Sequence, residues 1–123
     1  MKKLGRRIRL TSDEGRRLFQ DQLPLEGTIV RTYQGLQNPW HLLELDESFD
    51  YQIESKDSNG WVGFPVDQIL IRSRWDGFDV GDNEPTSVFV MLTDDPQQFD
   101  TDSIDSDNFY FESWAMSERI PGT

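Results

Sequence analysis

From Glu26 onward, apolar and polar side chains alternate with a period of two, the repeat of a backbone whose successive side chains point to opposite faces. Thr28-Ile29-Val30-Arg31-Thr32-Tyr33 is β-branched and aromatic, Gln34-Gly35-Leu36-Gln37-Asn38-Pro39 favours a turn, and Trp40-His41-Leu42-Leu43-Glu44-Leu45 is extended again. This is a hairpin signal. After a break at Asp46-Glu47-Ser48, Phe49 to Ile53 prolongs the second strand, and Ser55 to Gly60 reads as a loop. Asp67 to Trp75 puts Ile69, Ile71 and Trp75 on one face and Gln68, Arg72 and Arg74 on the other, which predicts a strand. A glycine-punctuated connection, Asp76 to Pro85, leads to Ser87-Val88-Phe89-Val90-Met91-Leu92, apolar on both faces and so expected to be covered on both. An acidic loop, Asp94 to Asp107, precedes the last predicted strand, Phe109 to Met116.

The start of the chain reads differently. Arg7-Ile8-Arg9-Leu10 alternates as a half-buried edge strand does, and Thr11-Ser12-Asp13-Glu14 has the form of a capping box. A short helix over about Ser12 to Gln22 is expected, with Leu18, Phe19 and Leu23 as its apolar stripe and Pro24 as its stop.

Five or six strands, mostly short connections and one short N-terminal helix predict a mainly β (α+β) chain: a small antiparallel β-barrel or sandwich. A parallel sheet needs several crossover helices, and only one has room. The 123 residues suit a single domain, 1–123, with no repeat or low-complexity linker dividing it. The segment Gly27-Thr28-Ile29-Val30 through Leu43-Glu44-Leu45-Asp46 resembles the first hairpin of SH3-like small barrels, in which a Gly-led strand, a variable loop and an apolar strand ending in Asp recur. The resemblance covers about twenty residues. It implies a small barrel used for binding and carries over no functional residue.

Charge sharpens the picture. No Lys or Arg occurs between Arg74 and Arg119, whereas Asp76 to Glu118 holds twelve carboxylates. The first seventeen residues run the other way, with seven cations against Asp13 and Glu14, although the whole chain is at −11. Such asymmetry bears on partners rather than on fold. Residues 18–123 hold five cations against twenty-one carboxylates, a balance that repels nucleic acid. The basic start is better matched to the protein's own acidic face, within one chain or between two, which makes a homo-oligomer through that arm an expectation. With no Cys, disulfides, thiolate catalysis and cysteine-ligated zinc are excluded. Leu4 is followed by Gly5, Arg6 and Arg7, so the start lacks the apolar core of a signal peptide, and no apolar run approaches a membrane span. A cytoplasmic protein with no membrane partner is expected.

The candidate chemistry lies in the carboxylates. Asp94, Asp95, Asp100, Asp102, Asp105 and Asp107 stand in one loop without a cation. Asp100-Thr101-Asp102 opens like a calcium loop, but its fifth position is Ile104 and its sixth, which must be Gly, is Asp105, so no metal or other cofactor is expected. Carboxylates on a loop also offer acceptors to Arg and Lys of a basic protein. The plainer reading is a solvated loop that opposes edge pairing. Adding Asp76, Asp79, Asp82 and Glu84 brings the partner reading level with it. Trp40, Trp61, Trp75 and Trp114 are interface anchors or core fillers; alternation assigns Trp75 and Trp114 to the core, and Trp61, in Asn59-Gly60-Trp61-Val62-Gly63-Phe64, to a surface loop as an anchor. His41, the sole histidine, has no nucleophile motif beside it and reads as a hydrogen-bonded structural residue.

These features predict a non-enzymatic module that binds a basic protein partner, a profile similar to that of small acidic immunity-type inhibitors of bacterial toxins. The alternative is a small-ligand- or cation-binding barrel, or a hydrolase built on paired carboxylates. Convergence of carboxylates in a concave pocket would favour the alternative, and spread over a convex surface the first.

Overall fold

The computed structural model of the chain describes residues 4–13, 23–34, 38–54, 61–75, 79–81 and 85–121. Every segment of period-two alternation forms a strand: β1 (Arg7–Asp13), β2 (Leu25–Tyr33), β3 (Trp40–Glu54), β4 (Trp61–Ser73), β5 (Thr86–Leu92) and β6 (Tyr110–Arg119). Each strand runs antiparallel to its successor, and β6 returns to β1, so the sheet is a closed six-strand barrel. Closure decides between barrel and sandwich. It also corrects the edge-strand reading of Arg7-Ile8-Arg9-Leu10, because β1 is hydrogen-bonded on one side to β2 and on the other to β6.

The predicted N-terminal helix is corrected where it is described. Thr11, Ser12 and Asp13, read as its cap and start, belong to β1, with Ser12 opposite Met116 and Asp13 opposite Ala115. Thr11 is the extra residue of a bulge between Leu10 and Ser12, and its hydroxyl meets the Met116 carbonyl of β6 at 3.5 Å. Residues 14–22 lie outside the described residues, and the described residues contain no α-helix.

Alternation fills the barrel. Ile8, Leu10, Ile29, Leu43, Ile69, Ile71, Val88, Val90, Leu92 and Ala115 point inward and are almost wholly buried. Gly27 lets β2 and β3 approach, since a Cβ there would sit 2.4 Å from the Glu44 carbonyl oxygen. One end of the barrel is plugged by Val80, with Arg6 donating from Nη1 to the Gly81 carbonyl at 2.7 Å. Toward the other end lie Phe49, Tyr51 and Val66, with Phe64 edge-on to Tyr51 at 5.5 Å. The expected break at Asp46–Ser48 is a bulge within a continuous β3: Glu44 pairs with Gln68 and Phe49 with Val66, so three more residues lie on β3 than on β4 between these pairs.

A second apolar cluster lies on the outside of the wall. Tyr33, Leu42, Leu70 and Met91 project outward and are covered by Phe99, with Trp40, Ile104 and Phe109 packed at its border. This explains why β5 is apolar on both faces: Val88, Val90 and Leu92 face the lumen, and Met91 faces the covering segment. The tryptophan expectations require correction. Trp61 is not in a loop but begins β4, opposite Glu54. Trp75 lies beyond the end of β4 and is 56% exposed, and Trp114, opposite Phe89, is half-buried on the outer wall.

Candidate functional site: an acidic strap beside an arginine–aromatic belt

Residues 93–109 form a strap across the outer wall. Its first turn, Pro96–Phe99, is a 3-10 helix capped by Asp95, whose carboxylate accepts from the Gln97 N–H at 3.1 Å and from Gln98 Nε2 at 3.1 Å. A second short turn, Ser106–Asn108, begins where Asp105 accepts from the Asp107 N–H. Apolar side chains of the strap turn inward: Phe99 is buried, Phe109 lies 5.7 Å from it ring to ring, and Ile104 is half-buried.

The barrel holds the strap from beneath through a bulge in β2. Ile29 pairs with Leu43 and Arg31 with Leu42, leaving Val30 as the extra residue. The extra residue reverses the alternation, so that Arg31 and Tyr33 face outward while Thr32 faces the lumen. The Tyr33 hydroxyl donates to the Phe99 carbonyl at 2.5 Å; Arg31 donates to that carbonyl and to the Thr101 carbonyl, each at 2.7 Å. Burial pushes the Tyr33 phenol up, which keeps it protonated as a donor.

This arrangement leaves Asp94, Asp100, Asp102, Asp105 and Asp107 exposed and Asp95 half-buried. Among the described residues no Lys or Arg forms an ion pair with any of the six. The strap is thus an acidic surface held on the barrel by Phe99, Arg31 and Tyr33.

Beside the strap lies a feature that the sequence reading missed. Arg72 is opposite Phe89 and Phe89 opposite Trp114 in the sheet register. The Arg72 guanidinium lies 4.5 Å from the Trp40 ring centroid and 5.4 Å from that of Phe89; Arg74 lies 4.9 Å from Trp114, 5.6 Å from Trp75 and 5.7 Å from Phe89. Two cations are thus interleaved with four aromatic rings along the outer wall. Arg74 donates to the Ser87 hydroxyl at 3.2 Å. Burial draws the Arg72 guanidinium below its ordinary pKa, and among the described residues no hydrogen-bond acceptor faces it. Arg72 and Arg74 had been read only as the polar face of a strand; their aromatic neighbours come from three other strands or the following turn, and only the register brings them together.

The other candidates are dispersed. Asp79 sits at the barrel end, where its Oδ1 lies 3.0 Å from His41 Nε2 and accepts from the Val80 N–H at 2.7 Å. A carboxylate can only accept, so Nε2 carries a proton, and Nδ1 meets the Thr32 hydroxyl at 2.9 Å. His41, 1% exposed, is thus a hydrogen-bonded structural residue. Asp76, Asp82 and Glu84 lie outside the described residues. Within the basic start, Arg7 pairs with Asp46, and Arg9 bridges Glu26 at 2.9 Å and Glu118 at 3.0 Å, so both cations meet carboxylates of the barrel wall rather than the strap.

A concavity of about 250 Å³ opens between Pro24–Glu26 and Asp46–Phe49. Of its carboxylates, Asp46 is held below the usual range by the Arg7 guanidinium, and Glu26 is paired with Arg9. Among the described residues no group of three or more His, Asp or Glu is placed to hold a metal ion, and no helix is long and apolar enough to cross a membrane. No protein-family model matches this chain, and neither a curated protein nor a solved structure matches it.

Proposed function

We propose that the chain is a non-enzymatic binding module whose acidic strap receives a basic protein partner, the role of an immunity-type inhibitor. The observation that carries this reading is the anchoring of the strap. Phe99, Arg31 and Tyr33 fix its backbone, while among the described residues its exposed carboxylates form no ion pair with Lys or Arg. A surface fixed before binding loses less conformational freedom on association than a mobile loop does. The ligand-binding or hydrolase alternative has weaker support, because two of the three carboxylates that line the concavity, Asp46 and Glu26, are paired with arginines, the opposite of an environment that makes a general acid.

The test is capture of the partner from the native host, followed by association kinetics at several salt concentrations. Carboxylates act at long range, and salt screens them beyond about 10 Å at 0.1 M. Replacing Asp100, Asp102, Asp105 and Asp107 with Asn should slow association roughly tenfold or more at low salt, with little change in the melting temperature. A partner that is neutral or acidic, or an association rate indifferent to salt, overturns the proposal.

A further inference from the structure

Strap and belt lie next to one another on one wall and carry opposite charge. The strap crosses over Leu42, Leu70 and Met91, and the belt runs through the next outward-facing positions of the same strands, Trp40, Arg72 and Phe89. Each stripe lacks what the other has. Arg72 is half-buried between two rings with five N–H donors and no acceptor among the described residues, a state that folded proteins rarely leave uncompensated. Among the described residues the carboxylates of the strap form no ion pair with Lys or Arg, and the exposed Trp75 ring extends the belt.

We infer that this wall is a self-complementary interface, in which the strap of a second copy of the chain docks on the Arg72–Arg74 belt of the first. A two-fold axis lying in the interface, between the stripes and parallel to them, sets each strap over the other copy's belt, so the same contact is made twice. An in-plane axis at right angles to the stripes sets acid on acid and is excluded by charge. A standard interface needs roughly 800 Å² from each partner. That is about a tenth of the 7557 Å² surface of this chain, within reach of one barrel wall. The inference stands apart from the proposed function: it uses the same strap but needs no foreign partner. Where both hold, dimer and partner complex are mutually exclusive.

Sedimentation equilibrium on the purified full chain tests it. Two charge-reversed variants are compared with the wild type: Arg72→Glu with Arg74→Glu, which makes belt and strap both acidic, and Asp94→Arg, Asp100→Arg, Asp102→Arg and Asp107→Arg together, which makes both basic. The wild type should dimerise reversibly at micromolar to millimolar concentration, each variant alone should dimerise at least tenfold more weakly, and an equimolar mixture should form the heterodimer, in which both contacts are restored. Circular dichroism melts establish that the variants are folded; if a reversal unfolds the chain, Arg72→Gln with Arg74→Gln and Asp100→Asn with Asp102→Asn take its place, each expected to weaken the dimer. A wild type that is monomeric at 1 mM, a dimer unaffected by the substitutions, or a mixture of folded charge-reversed variants that does not associate overturns the inference. None of these outcomes bears on a basic partner, which is sought separately.

Discussion

Phe99→Ala separates the strap from the barrel. The Phe99 ring is nearly fully buried in the outer cluster, and an aromatic side chain buries ~150–250 Å², worth roughly 4–6 kcal/mol at about 25 cal/mol per Å². Measured Phe-to-Ala losses of about 3–5 kcal/mol agree. With an unfolding entropy of about 2.1 cal/mol/K per residue, 123 residues give roughly 0.26 kcal/mol per degree, so a loss of ~4 kcal/mol felt by the whole molecule lowers the melting temperature by ~15 °C. The strap, however, lies outside a barrel whose six strand pairings do not involve it. Once it opens locally, the global loss is capped at the free energy of that opening. The expected outcome is a fall of less than about 8 °C, with amides of residues 95–109 losing protection in the folded state. Leu43→Ala, wholly inside the lumen, serves as the comparison and should show the full fall for a loss of ~2–5 kcal/mol. Calorimetry with hydrogen exchange decides it. If Phe99→Ala melts as low as Leu43→Ala, with the strap amides protected until global unfolding, the strap is part of the barrel's cooperative unit and the reasoning fails.

Gly27→Ala forces a methyl toward the Glu44 carbonyl and should cost about 1–3 kcal/mol, read as a lower urea midpoint; an unchanged midpoint means that β2 and β3 can part without loss. His41→Leu deprives Thr32 and Asp79 of their shared partner and should cost about 1–3 kcal/mol by the same measurement, a wild-type midpoint being the contrary result. The pH dependence follows from Asp46, whose folded pKa is depressed by Arg7. Its contribution is present above the unfolded carboxylate value and is lost as pH falls through the folded one, so wild type should lose more stability than Asp46→Asn between pH 5 and pH 2. Equal acid sensitivity of the two proteins would count against that ion pair.

Five of the six strands were legible, most of them because a lumen of apolar side chains imposes period two on the strands around it, as Ile69 and Ile71 against Gln68 and Arg72 show, whereas Val88 to Leu92 was legible as an apolar run covered on both faces. The sixth, β1, was read at Arg7–Leu10 but lost at Thr11–Asp13, where local capping chemistry and a pairing with residues a hundred positions away make competing claims on the same backbone. The candidate site was legible by half. Clustered carboxylates show in the sequence, but their anchoring by Arg31 and Tyr33 depends on the bulge at Val30, one unpaired residue that leaves no compositional mark. The belt was invisible for the same kind of reason: Trp40, Arg72, Phe89 and Trp114 are neighbours only through register across four strands. Trp75 shows the limit of alternation, which ceases to predict orientation once the strand has ended.

The closure of β1 on β6 carries a kinetic consequence. Five of the six pairings join strands consecutive in the chain and form as hairpins, whereas the seam brings Ile8 opposite Arg119, more than a hundred residues away. That contact carries the greatest loop-closure entropy and should be the last to form and the slowest. Until it closes, the sheet is an open ribbon with two bare edges, the state most prone to pairing with another molecule. The bridge from Arg9 to Glu118 lies across this seam, so one cation of the chain's start acts where the ribbon must find its own far edge before a neighbour does.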